Sequence, residues 1–143
     1  MTVRKSERTP TSVTLKVQDV AYKLYAYTAH AASNEKIVPK RLRWCTGQFL
    51  VSAASAICRN IDLANTMRLD DANEAVWRRK YQSLALGGTY NLLTELHKAY
   101  YTHRFDDDKL CFWVEQIEEA QRLLKAWMKS DAAKSASGGG GAV

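Results

Sequence analysis

The chain has 143 residues, 46% of them hydrophobic and 25% charged, with a net charge of +6; that length suits one domain with a real core. No stretch approaches the roughly 18 apolar residues of a membrane span, and the basic start "MTVRKSERTPTS" leads into no uninterrupted apolar run, which argues against a transmembrane helix or a secretory signal. Cys45, Cys58 and Cys111 are odd in number and widely spaced, so they read as small apolar core residues of a protein in the reducing cytoplasm.

Residues 1–11 lack periodicity and are expected to form a flexible basic arm. The first helical segment follows, with Val13, Val17, Val20, Leu24, Tyr27 and Ala31 stepping by three and four, and Thr11 or Ser12 as its cap. "SNEK" at 33–36 interrupts it. The second segment runs from Pro39, at its first helical position, to Met67, with one stripe of Leu42, Cys45, Phe49, Ala53, Ile57, Ile61 and Ala64. The third opens at Asp70 or Asp71 and uses Trp77, Tyr81, Leu84, Gly88, Leu92, Leu96 and Ala99 or Tyr100. The fourth takes Asp107 or Asp108 as cap and turns Leu110, Trp113 or Val114, Ile117, Gln121, Leu124 and Trp127 or Met128 inward. "SDAAKSASGGGGAV" is small and Gly-rich, so residues 131–143 are expected as a disordered tail.

No strand-like alternation competes with this pattern. Helices of roughly 22–30 residues joined by short connections must run antiparallel, which predicts an all-α, up-down-up-down four-helix bundle over residues 12–130. Gly87 and Gly88 fall inside the third helix, where each is less favourable than Ala by about 0.5–1 kcal/mol. A flat spot that lets a neighbouring helix approach is the preferred explanation over a kink.

The residues offer little for catalysis. His30, His97 and His103 make no i,i+4 pair, no CxxC is present, and "ALGGTY" has neither the preceding strand nor the GK[ST] of a phosphate loop. "DDD" at 106–108 reads as a helix cap and "EQIEEAQR" as a solvated face. The chain is therefore expected to be no enzyme, with no catalytic residue, metal or cofactor.

What remains is the cations. Residues 36–104 carry 11 basic against 5 acidic side chains, an excess equal to the whole net charge of +6. Lys40, Arg41 and Arg43 stand at the start of the second helix, where the positive end of the helix dipole disfavours them. Either water screens them as ordinary surface charge, or an external anion offsets that cost, and nucleic-acid phosphate is the expected one. Antiparallel packing should bring Lys98 and Arg104, near the far end of the third helix, beside them. Arg78, Arg79 and Lys80 form a second candidate run, and Trp44, Tyr100 and Tyr101 are placed to stack on bases.

"EKIVPKRLRWCTGQFLVSAASAICRNIDLANTMRL", "WRRKYQSLALGGTYNLLTELHKAYYTHRF" and "FWVEQIEEAQRLLKAWMKS" resemble the accessory variability determinant (Avd) proteins of diversity-generating retroelements, within the small bacterial four-helix-bundle proteins some of which are encoded in ribosomal RNA intervening sequences. The resemblance covers roughly residues 15–130. Its telling parts are Pro39-Lys40 with Arg43 and Gly47, "NIDLAN" and "LLKAW". It implies a homopentameric barrel of bundles with a basic surface, and association with the element's reverse transcriptase. It also implies binding of template RNA or DNA in support of mutagenic retrohoming. By analogy Lys40, Arg41 and Arg43 would contact phosphate or partner. A ring would need apolar residues beyond one core face, for which Trp77, Phe112, Trp113 and Trp127 are candidates. The alternative is a structural or protein-interaction bundle without nucleic-acid binding.

Overall fold

The computed structural model describes residues 12–141 of the chain, and side chains over 16–136. Among the described residues there are four long helices and no strand: α1 (Ser12–Ser33), α2 (Gln48–Thr66), α3 (Ala72–Thr102) and α4 (Asp107–Gly141). A 3₁₀ turn, Lys40–Leu42, and a π turn, Arg43–Gly47, lead into α2. The helices form a closed cycle in which each packs on its two neighbours, α1 on α2 and α4, α3 on α2 and α4, while the diagonal pairs stay apart. That is the four-helix bundle the periodicity predicts. Thr11 and the expected basic arm lie outside the described residues.

Local signals account for the helix ends. Asp71 caps α3, its carboxylate accepting from the backbone N–H groups of Asn73 and Glu74 at 3.0 Å. The cap of α4 falls one residue earlier than expected. Asp106 accepts the Asp108 N–H on its side chain at 3.3 Å and the Leu110 N–H on its carbonyl at 3.1 Å. Pro39 likewise stands just before the first helical turn, in an extended conformation with φ −55° and ψ 149°, and accepts from the Leu42 N–H at 2.8 Å.

The core is a stack of aliphatic and small side chains closed by two indoles. Val17, Ala21 and Leu24 of α1 meet Leu50, Ile57 and Ile61 of α2, Leu92 and Leu96 of α3, and Trp113, Ile117, Leu124 and Trp127 of α4. The buried Trp113 indole donates to Thr28 Oγ1 at 3.1 Å, so its polar edge is satisfied inside the core. A Cβ on Gly88 would come within 3.1 Å of Ile57 Cγ1, whereas one on Gly87 would meet nothing within 4 Å. The close approach of α2 and α3 therefore rests on Gly88 alone.

Two stripes differ from the sequence reading. In the second helix Cys45 and Phe49 point outward, and Gly47 and Leu50 take their places inside. The π turn shifts Cys45 out of phase with the helix that follows, whereas Phe49 belongs to the regular helix and is exposed because α2 turns Leu50 and Ala54 inward. In α3 the buried positions are Gln82, Ala85, Thr89, Leu92, Leu96 and Ala99, while Trp77 and Leu84 are exposed and Tyr81 is half-buried. At the N-terminal half of α3 the buried stripe lies one residue on from the expected one and is the more polar of the two.

The reason sits on α4. Its helix continues to Gly141 where the sequence predicts a disordered tail from residue 131, and Asp131 is buried. Asp131 accepts from Arg78 Nε at 2.6 Å, from Arg78 Nη2 at 3.2 Å and from Gln82 Nε2 at 2.7 Å. The cysteine expectation is also corrected: Cys45 and Cys111 are exposed, and the half-buried Cys58 donates its thiol to the Ala21 carbonyl at 3.3 Å.

Candidate nucleic-acid interface

The approach to α2 is built on a pinned loop. Asn34 receives the N–H groups of Ile37 and Val38 on its carbonyl, both at 2.9 Å, and that of Lys36 on its side chain at 3.0 Å. Ile37 and Val38 are buried, and Val38 Cγ1 lies 3.5 Å from the place a Gly47 Cβ would take. This anchoring fixes where the chain enters the 3₁₀ and π turns against the end of α1.

Those side chains are Lys40, Arg41 and Arg43, all exposed. Among the described residues none of them, nor Lys36, has a carboxylate within ion-pair distance. Lys23, Arg68, Lys98 and Arg122 are also exposed and each pair with an acid, whereas other exposed cations, Arg59, Arg79, Lys80 and Arg104 among them, have no acid partner among the described residues either. Four cations over eight residues, with Glu35 the one acid next to them in the chain, leave this stretch with a net positive charge.

Trp44 stands among them with 82% of its surface in solvent. Phe49, also exposed, lies further along, and the Lys98 ammonium of α3 sits 5.9 Å from its ring centroid. The expected arrival of Lys98 at the start of α2 is therefore seen, although Glu95 holds that ammonium at 3.0 Å. Arg104, in the loop after α3, lies 5.1 Å over the Tyr100 ring. The Tyr100 hydroxyl donates to Asp107, and that hydrogen bond raises the phenol above its ordinary value. Tyr100 is thereby engaged within the fold, while Tyr101 is exposed.

The second candidate run divides. Arg78 is withdrawn as a ligand contact: its side chain is only 12% exposed and its guanidinium is committed to Asp131, to the Met67 carbonyl at 3.1 Å and to the Trp127 ring at 5.1 Å. Arg79 and Lys80 are exposed, Lys80 lying 4.6 Å from the Trp77 ring centroid. They are at the opposite end of the bundle from the α2 start. Eighteen residues of α3 separate Lys80 from Lys98, about 27 Å along the helix. The cations therefore form two sites, not one.

Among the described residues, no group of three or more His, Cys, Asp or Glu could hold a metal ion, and no helix is long and apolar enough to cross a membrane. A groove beside Trp44, with Gln48 and Ser52 on its wall, was not legible in the sequence because its two walls, residues 32–33 and 43–52, are brought together only by the packing of α1 against the start of α2. Asp131 was missed because a Gly-rich end hides a buried acid.

No family model matches the chain, and no curated protein does. Among solved structures, it is similar to a protein of unknown function from the S23 ribosomal protein family of Bacteroides thetaiotaomicron, with 13% identity and a TM-score of 0.69 over 82% of this chain and 98% of that one. At that identity the likeness is one of fold.

Proposed function

We propose that this chain is a non-enzymatic accessory factor that binds nucleic-acid phosphate through the start of its second helix. The observation that carries the reading is the unpaired set Lys40, Arg41 and Arg43, gathered at one helix start beside an exposed tryptophan. Phosphate there would offset both the mutual repulsion of the cations and their unfavourable place on the helix dipole. The retroelement setting, with a reverse transcriptase as protein partner and template RNA or DNA as ligand, rests on the resemblance of residues 15–130 to Avd proteins. So does assembly into a homopentamer. Of the residues expected to serve that ring, Trp113 and Trp127 are buried in the protomer, and Trp77 and Phe112 are half in solvent, Trp77 on α3 with the exposed Val76 and Leu84, Phe112 against Tyr27 of α1. Those apolar side chains also support the second reading, a protein-interaction bundle without nucleic-acid affinity.

A salt series separates the two. Binding to a short RNA and a DNA duplex is expected to fall steeply as salt rises, and Lys40→Ala/Arg41→Ala/Arg43→Ala should flatten the log–log slope by about 2–3 as its phosphate contacts are lost. Wild-type protein that binds neither at low salt would leave the interaction-bundle reading. Unchanged binding in the triple variant would move the contact away from α2.

A further inference from the structure

Trp44 poses a problem that phosphate binding does not answer. A large apolar ring exposed to water is unfavourable, and among the described residues this one meets no other ring, cation or hydrogen-bond partner. It lies in the π turn, an irregularity that occurs frequently at functional sites. Without that extra residue, the outward and inward positions of the helix start would be differently phased.

The ring also borders a groove of about 250 Å³ between the end of α1 and the start of α2. Arg43, Gln48, Val51, Ser52 and Ser33 complete the wall. The volume is below the roughly 300–1,000 Å³ of sites that hold whole drug-sized ligands, and suits one planar ring. The Gln48 amide and Ser52 hydroxyl are exposed and have no hydrogen-bond partner among the described residues, so they are free to meet a polar edge. Ser33 donates its hydroxyl to the Ala29 carbonyl at 2.9 Å, which leaves its oxygen as an acceptor. An apolar face, a polar edge and adjoining unpaired cations together describe the chemistry of one nucleotide.

Building on the proposed phosphate contact at the α2 start, we infer that this groove receives a single unpaired nucleobase, stacked on Trp44, with its phosphate held by Arg43 and Lys40. A base inside a duplex has both faces covered by its neighbours and offers none to a side chain. The groove therefore makes the protein prefer single strands or loops to duplex, a distinction the cations alone do not draw.

The test measures binding of a labelled, unstructured 12-nucleotide RNA and of the duplex of the same sequence, at one low salt concentration, by fluorescence anisotropy. Trp44→Ala is expected to weaken single-strand binding by about 5- to 150-fold, the range for one stacked base, with duplex affinity unchanged. Trp44→Phe, which keeps a stacking face, should retain most of the affinity. Because Trp44 is exposed, circular dichroism should show both variants folded. Equal affinity of wild type and Trp44→Ala for the single strand would overturn the base site and leave the phosphate contact standing. An equal loss on both ligands would overturn it too. Wild type that binds neither ligand overturns the phosphate reading, and the base site with it. A change in solution mass in Trp44→Ala would assign the ring to contact with a second copy and likewise refute the base site.

Discussion

Asp131→Ala is expected to destabilise the fold by about 3–5 kcal/mol, because it strips the partner from a buried cation. The Arg78 and Asp131 side chains are 12% and 8% exposed, and two hydrogen bonds join them at 2.6 and 3.2 Å. The same carboxylate also accepts from Gln82 Nε2 at 2.7 Å, so its removal leaves a second buried donor without that acceptor. Arg78 cannot swing out to water cheaply, since it also holds the Met67 carbonyl at the end of α2 and packs over Trp127. For a chain of this size the loss corresponds to roughly 10–20 °C in Tm. The assay is urea and thermal unfolding followed by circular dichroism, with every variant at one protein concentration so that any assembly contributes equally. Asp131→Asn, which retains an acceptor, should fall between. Replacing both partners by apolar residues, Arg78→Met/Asp131→Leu, should recover part of the loss, because the desolvation penalty disappears with the charges while the buried Gln82 amide still lacks its acceptor. An Asp131→Ala protein within about 0.5 kcal/mol of wild type, as for an ordinary surface change, would refute a buried role for the acid.

The glycine pair should respond with different signs. Gly87→Ala, opening into free space, is expected to gain about 0.5–1 kcal/mol of helix propensity. Gly88→Val should lose roughly 1–3 kcal/mol by overpacking against Ile57, and chemical denaturation of the two variants checks both. The thiols should react in two classes with a disulfide reagent at pH 8: Cys45 and Cys111 fast, Cys58 slowly, since burial raises its thiol to about 11. Three equal rates would contradict the placement of Cys58. Alkali should weaken the fold. Burial and the hydrogen bond to Asp62 push the Tyr22 phenol from 10.0 to about 12, and Cys58 moves up from 9.0. Their contribution is complete below pH 9, where both states hold the protons. It is lost as pH rises towards 12, because the unfolded chain ionises first. Tm measured from pH 8 to 11 should therefore decline, more steeply than in a Tyr22→Phe/Cys58→Ala variant.

Much of the bundle is written locally. The helical spacing of Val17, Leu24, Ile57, Ile61, Leu92, Leu96, Ile117 and Leu124 is a property of neighbouring residues, and the structure buries each of them. The Asp71 cap is equally local, because a side chain and the N–H groups two and three residues on decide it. The cations at the start of α2 were legible for the same reason: one turn of chain holds Lys40, Arg41 and Arg43.

Only the tertiary structure decided which face each helix turns inward. In α2 the buried set Leu50, Ala53, Ala54, Ile57, Ile61 and Ala64 leaves Phe49 outside, a choice between two adjacent stripes of one regular helix that its own spacing does not make. In α3 the more apolar stripe, Trp77 and Leu84, stays outside because Asp131 on the facing helix selects Arg78 and Gln82. That choice also divided the candidate site, turning Arg78 into part of the core while Lys40, Arg41 and Arg43 remain exposed. The spacing of a helix is set by its own backbone, but its rotation about its axis is set by what its neighbours offer, and those neighbours are distant in the chain.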